Sequence, residues 1–346
     1  MSRYRFGIVG SGYMGRTHAE AIYRVSDAEL VAVTGGTRAP TLSADYGVAY
    51  EDSLEKLLQR SDIDAVVITT PHSRHFDETM LALKSDKHVL VEKPMATQSL
   101  DCDQMIELSR EKRLALGIGY HQRFRENNYR ARDLIQQGLV GVVTTIQISM
   151  PMYAGAMKSG GFGGDWSWWN DPKSLGHIFN SAPHSVDLMR WFMNAEVKTV
   201  SAFSRTLIPN NAVEDTSMAL LEFSNGAICS IFSSRALPSP AFIGEEYRIR
   251  ITGTKGLIDL DPYGELRISD DNGWRTISSQ PSVGHEGAGS AFGDIRMQAY
   301  SDQIKSFIDL IEGKPSNVGK STDGRAAVEV CAAILESSSR RGWIQL

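Results

Sequence analysis

Through its first third the chain alternates short apolar runs with stretches of helical period. Apolar runs at residues 5–9, 30–34, 65–68, 89–91 and 114–119 have the length of strands, and helical patterns occupy 17–25, 54–59, 76–83 and 101–110. Strands alternating with helices predict a parallel, doubly wound α/β sheet. After about residue 122 the period changes. One helix is expected over 127–137, and long runs of period two follow, clearest in "VVTTIQISM", "TSMALLEFS", "AICSIFSSR" and "YRIRITG". That alternation predicts a largely antiparallel sheet with one covered face. Two amphipathic helices, near 295–311 and 322–338, close the chain. The change of period alone marks a boundary, so the expected domains are 1–122 and 123–346, with the C-terminal helix able to pack back on the first.

Length and composition agree with this division. A chain of 346 residues is long for one core, and 42% hydrophobic with 22% charged residues is an ordinary globular balance. No apolar run approaches the roughly 20 residues that span a bilayer. The run at 6–9 near the N-terminus is too short for a signal peptide and reads better as a first strand. Cys102, Cys229 and Cys331 are far apart, odd in number and in no ligand-like pair. They predict neither a disulfide framework nor a metal site, and they suit a reducing cytoplasm. A net charge of -5 with no basic block argues against a nucleic-acid partner.

The first chemical signal follows the first strand. "GIVGSGYMGRTH" places Gly10, Gly12 and Gly15, with Tyr13 and Met14 between them, as G-x-G-x-x-G in a strand–turn–helix context. Gly10 permits the tight turn, Gly12 lets a pyrophosphate approach the backbone, and Gly15 lets helix and strand pack closely. A dinucleotide site is therefore expected. An NAD-preferring site usually carries Asp or Glu about 20 residues on. Here Gly35 stands in that place, with Thr37 and Arg38 just beyond. Nothing repels a 2′-phosphate, and Thr37 and Arg38 could bind one, so NADP is favoured over NAD; a merely solvated Arg38 is the plainer alternative.

A second signal is "HVLVEKPMA", where a core strand delivers Glu92 and Lys93 and then Pro94. Charged residues are rarely buried without a partner. Ligands of an open α/β sheet bind beyond the carboxyl ends of its strands, so Lys93 can point into a cofactor cleft. Pro94 restricts Lys93 to extended backbone, and Glu92 reads as a carboxylate bonding local backbone or cofactor groups.

"TTPHSRH" and "KHVLVEKP", with "SLGHIFNSAPHSVDLMRWF", "ITGTKGLIDLD" and "GKPSNVGKSTDGRAAVEVCAAILESS" downstream, resemble the glucose–fructose oxidoreductase / inositol dehydrogenase / rhizopine catabolism (Gfo/Idh/MocA) family over nearly the whole chain. The resemblance implies an N-terminal Rossmann domain and a C-terminal α/β domain built on a large, mostly antiparallel sheet. It implies reversible NAD(P)-dependent oxidation of a sugar or cyclitol hydroxyl, and a homodimer or homotetramer formed through that sheet. The family's catalytic lysine maps to Lys93 and its catalytic histidine to His184. Three positions depart from the usual pattern: Asn180 where many relatives carry Asp, Ser174-Leu175-Gly176 for a glycine triplet, and Trp169-Asn170 for a Trp-Arg pair.

On this reading the Lys93 ammonium stabilises a developing alkoxide. Pro183 suits the first position of a helix over 183–193, which puts His184 in the first turn. There the helix dipole would favour a neutral imidazole able to act as general base. Asn180 could fix the substrate or the His184 ring, or serve only as a cap. Asp187 either orients His184 or is structural. Tyr120, His121 and Arg123, at the fifth strand's end where the domains are expected to meet, are candidate substrate contacts. Thr70, Pro71, His72 and His75 follow the third strand as candidate cofactor contacts, the histidines alternatively shaping the turn. Trp166, Trp168, Trp169 and Lys173 offer aromatic faces and a cation to a sugar ring. Two other functions compete. A redox-neutral glycoside hydrolase or lyase would use tightly bound NAD through a transient keto-sugar. A non-catalytic sensor is disfavoured by the intact Glu92-Lys93-Pro94.

Overall fold

The computed structural model describes residues 3–153, 167–238, 247–280 and 293–346. They form two compact units, one built on 3–124, 167–168 and 293–326, the other on 125–153, 169–238, 247–280 and 327–346.

The first unit opens with β1 (Tyr4–Val9), α1 (Tyr13–Tyr23), β2 (Ala28–Thr34), α2 (Ala39–Tyr46), β3 (Ala49–Tyr50) and α3 (Leu54–Gln59). It continues through β4 (Ala65–Ile68), α4 (His75–Lys84), β5 (His88–Val91), α5 (Ser99–Glu111) and β6 (Leu116–Ile118). Parallel strands in the order β6-β5-β4-β1-β2-β3 make the sheet. This is the doubly wound dinucleotide-binding order, with its switch point between β1 and β4. β4 is buried along its whole length, as expected of a strand covered on both faces. Phe6, Ile8, Val67 and Leu90 pack with Ala19 and Ile22 of α1 and with Ile304 and Phe307 of α8 (Asp294–Ile311). The short β15 (Gly319–Lys320) adds an antiparallel edge beside β6.

Most predicted elements stand within a few residues of their places, and two differences have clear causes. α1 starts at Tyr13 rather than 17, because the glycine turn runs straight into the helix. α2 and β3 were not anticipated. Only Ala39, Leu42 and Ser43 of α2 are buried, too weak a stripe to register as a period. The strand read as fifth is consequently β6.

The second unit begins with α6 (Glu126–Gln136) and β7 (Val143–Tyr153), then α7 (His177–Met193), β8 (Val197–Arg205), β9 (Thr216–Phe223) and β10 (Ile228–Leu237). β11 (Arg248–Gly253), β12 (Leu257–Leu260), β13 (Glu265–Asp270) and β14 (Gly273–Ser279) follow. α9 (Ser321–Arg340) and β16 (Ile344–Gln345) end the chain. A nine-stranded sheet runs β14-β13-β12-β11-β7-β10-β9-β8-β16. It is antiparallel except where β10 lies parallel to β7. Strict alternation on β9 buries Ser217, Ala219, Leu221 and Phe223 and exposes Met218 and Leu220, so one face is covered as predicted. α7 packs on that face against β7, β9 and β10.

Candidate active site

The glycine loop has the dimensions its sequence calls for. Gly10 has φ +108°, and a Cβ there would stand 2.7 Å from Thr69 Oγ1. A Cβ on Gly15 would come within 2.0 Å of the Gly10 carbonyl oxygen, so only glycine lets α1 pack against β1 this closely. Gly12 is different. The nearest atom to its would-be Cβ is Arg38 Nη2 at 3.8 Å, which leaves open space with a guanidinium beside it. Gly12 is also the N-cap of α1 and offers no capping side chain, so the helix's first N–H groups face that space. A dinucleotide's phosphates fit here. Tyr13 and Met14 are half-buried at the start of α1, and Arg296 lies 4.9 Å from the Tyr13 ring centroid.

Gly35 has φ +79° and Gly36 φ +80°, and the Gly36 Cβ position lies 2.7 Å from Ser11 Oγ. An acidic residue at 35 would need a left-handed backbone, a physical reason for the missing ribose carboxylate. Thr37 and Arg38 beyond it are exposed. A cleft of about 430 Å³ opens at the ends of β1 and β2, lined among others by Gly35, Asp52, Ser53, Arg74 and Glu78. Glu78 accepts a hydrogen bond from Thr70 Oγ1 and an ion pair from Arg74 at 2.6 Å. Burial nonetheless raises its carboxyl pKa.

The end of β5 is held from several sides. Glu92 N donates to the Ile68 carbonyl at 2.9 Å, and the Glu92 carboxylate is buried. One of its oxygens pairs with His18 Nε2 at 2.9 Å, and the other accepts from Lys93 N at 3.2 Å. The Lys93–Pro94 peptide is cis, and the Pro94 carbonyl bonds His75 Nδ1 at 2.7 Å. Glu92 is thus a local structural carboxylate, and Lys93 stands half-buried on a backbone anchored around it. His18 was missed. It follows Gly15 by three residues and precedes Ile22 by four, so the helical period already places this polar residue on the buried stripe.

His75 is fully buried, with its second ring nitrogen on the Thr70 carbonyl at 2.8 Å. Burial lowers its pKa, and the geometry is that of a turn-shaping histidine rather than a cofactor contact. Pro71 and His72 form the turn after β4, and His72 meets the edge of Trp168 at 4.8 Å. Tyr120 is completely buried. His121 stacks on Tyr300 at 4.5 Å, and Arg123 is paired with Asp323 at 2.8 Å.

In the second unit the main correction concerns α7. It begins at His177, not Pro183, and carries Pro183 in its interior. His184 therefore lies two turns into the helix, beyond the reach of the dipole invoked above. Asn180 is half-buried, with the buried His184 four residues on along the same helix face. Asp187 is wholly buried, and its charge helps burial raise the Tyr247 phenol. Trp169 stands 6.1 Å from His177, and Lys173 is exposed. Leu175 has φ +59° and ψ -177°, a conformation natural to the glycine it replaces in the triplet. Trp166 lies outside the described residues. No group of three or more potential metal ligands occurs among the described residues.

Strand order, glycine loop and the cleft at the strand ends define a dinucleotide-binding protein. The oxidoreductase family model with an NAD-binding Rossmann fold (GFO_IDH_MocA) matches residues 4–120, and the GFO/IDH/MocA C-terminal domain model matches 129–259. The chain belongs to this oxidoreductase family. It is 26% identical to a myo-inositol 2-dehydrogenase of Thermotoga maritima, over 99% of this chain and 98% of that protein. An inositol 2-dehydrogenase of Rhizobium meliloti is 25% identical, over 99% of both chains. The crystal structure of scyllo-inositol dehydrogenase from Lactobacillus casei with NAD(H) and scyllo-inositol shares the fold, with a TM-score of 0.80 at 22% identity over 99% of each chain. Among the described residues, no helix is long and apolar enough to cross a membrane.

Proposed function

We propose that this protein catalyses the reversible oxidation of a hydroxyl group on a sugar, sugar derivative or cyclitol, with NADP preferred to NAD. The observation that carries the reading is the anchored Glu92–Lys93–Pro94 strand end, tied through Glu92 to His18 on the helix that follows a glycine loop shaped for a dinucleotide. The names of the two inositol dehydrogenase relatives support a polyol substrate. Lys93 holds its ammonium against the reacting oxygen and lowers the hydroxyl's pKa. His184 accepts the hydroxyl proton, and Asn180 orients the substrate by hydrogen bonds it can make but not titrate. When bound, the nicotinamide cofactor supplies the acceptor for the hydride leaving the carbinol carbon.

Preference for NADP rests on Arg38, whose guanidinium stands beside Gly12 with no acidic residue at position 35. Arg38→Ala should weaken NADPH binding by about tenfold to a hundredfold, the worth of a charge-assisted phosphate contact, and change NADH binding by less than about threefold. Paired fluorescence titrations check this; equal losses for the two cofactors would refute the assignment.

The same reading includes a homo-oligomer formed through the large sheet. Phe203, Met218, Leu220 and Ile228 project from neighbouring strands at 63%, 61%, 50% and 60% exposure, and Phe203 lies directly across from Met218. Exposed large apolar side chains gathered on neighbouring strands suit a subunit contact. Light scattering should find a dimer or tetramer, and a Met218→Glu change should dissociate it. A monomeric wild-type protein would contradict this.

A further inference from the structure

Helix α7 begins without a cap of its own. Its N-cap is Gly176, its first turn has no acidic residue, and Pro183 in its interior cannot donate a helical hydrogen bond. One residue on the loop before β9 supplies what the helix lacks. The Glu214 main-chain oxygen accepts from His177 N at 3.1 Å, and its Oε1 accepts from Ile178 N at 2.6 Å. The second carboxylate oxygen accepts from Ser217 Oγ at 3.3 Å. Gly176 makes the approach possible, since a Cβ there would stand 2.3 Å from Glu214 Oε1.

The charged groups acting on Glu214 are Asp215 beside it and Arg235 on β10, while His177 of α7 meets it through its main-chain N–H. Burial is the largest influence and, with Asp215, pushes the Glu214 carboxyl up to about 7, against the Ile178 N–H, Ser217 and Arg235. Asp215 cannot take its place. Its own oxygens are committed to Leu207 N, Ile208 N and Asn211 Nδ2.

We propose that Glu214 is a positioning residue that sets the first turns of α7 from outside the helix, and through them Asn180 and His184. The proposal rests on the reading of those two residues as substrate-facing. As a carboxylate, Glu214 makes a charge-assisted bond to Ile178 and a favourable interaction with the helix N-terminus. As a neutral acid it makes neither at full strength. With one ladder bond already lost to Pro183, the first turn depends on this outside support. Substrate recognition should therefore weaken as pH falls through neutrality.

The test is the pH dependence of kcat/KM in wild type, Glu214→Gln and His184→Ala, from about pH 5.5 to 8.5. Glutamine can still accept from Ile178 but does not titrate. Wild type should lose activity on the acid side more steeply than one ionisation allows, because protonation of Glu214 adds a rise in KM to the loss of the general base. Glu214→Gln, neutral at every pH like the protonated acid, should show a slope near one and a pH-independent KM close to the raised value that wild type reaches only on the acid side. Glu214→Ala, which removes the acceptor as well as the charge, should raise KM about tenfold over wild type at the alkaline end, a loss that glutamine restores only in part. A Glu214→Gln profile with the wild-type acid slope overturns the proposal, even if the alanine variant fails to fold. If His184→Ala is as active as wild type, the reading of α7 itself is wrong. If it is inactive while Glu214→Gln is unchanged, only the role of Glu214 falls.

Discussion

Lys93→Ala should lower kcat/KM by about a thousandfold or more and leave cofactor affinity within about threefold. A donor aimed at a developing oxyanion contributes about 10²–10³ in rate when neutral, and an ammonium in a half-buried position acts more strongly. The fold should survive the change. The partners that hold this strand end are the Glu92 carboxylate, the Lys93 main-chain N–H and the Pro94 carbonyl, none of which belongs to the lysine side chain. Cofactor binding should also survive, because Gly10, Gly12 and Gly15 are untouched. Steady-state kinetics beside a cofactor titration separates the two effects. Wild-type turnover in this variant would sink the catalytic assignment.

For His184→Ala the expected loss in kcat is about 10²–10⁴, the usual contribution of a positioned general base. The acid-side ionisation of His184 should leave the pH profile with it. His184 is buried, so alanine also leaves a cavity and should lower thermal stability. Cofactor affinity, set by the other unit, should not move. A variant with normal turnover but reduced stability would make His184 a packing residue.

Much of this was legible in the chain because the first unit is built from strongly periodic elements. The apolar runs at 65–68 and 89–91 could hardly be anything but buried strands, and three glycines at fixed offsets imply a turn, an open face and a close helix contact. Less legible were features that depend on partners distant in sequence. His18 meets Glu92 across 74 residues, and Arg123 meets Asp323 across 200. Tyr120 and Arg123 carry polar groups at a strand end, and the burial of the one and the ion pair of the other depend on segments far along the chain. The start of α7 was misplaced for a related reason. Pro183 looks like a first helical residue, but Glu214 supports the helix six residues earlier, and no local pattern announces a cap delivered from another loop.

The central claim is that this protein removes hydride from a polyol at a site organised around Lys93. Absorbance at the reduced-nicotinamide band, followed with NADP and with NAD across aldoses, inositols and sugar acids, tests it most directly when wild type and Lys93→Ala run side by side. Reduction by wild type with at least one polyol, faster with NADP, and its loss in Lys93→Ala is the predicted result. Glycoside cleavage with no net change in that band, or equal rates in the two proteins, would contradict it.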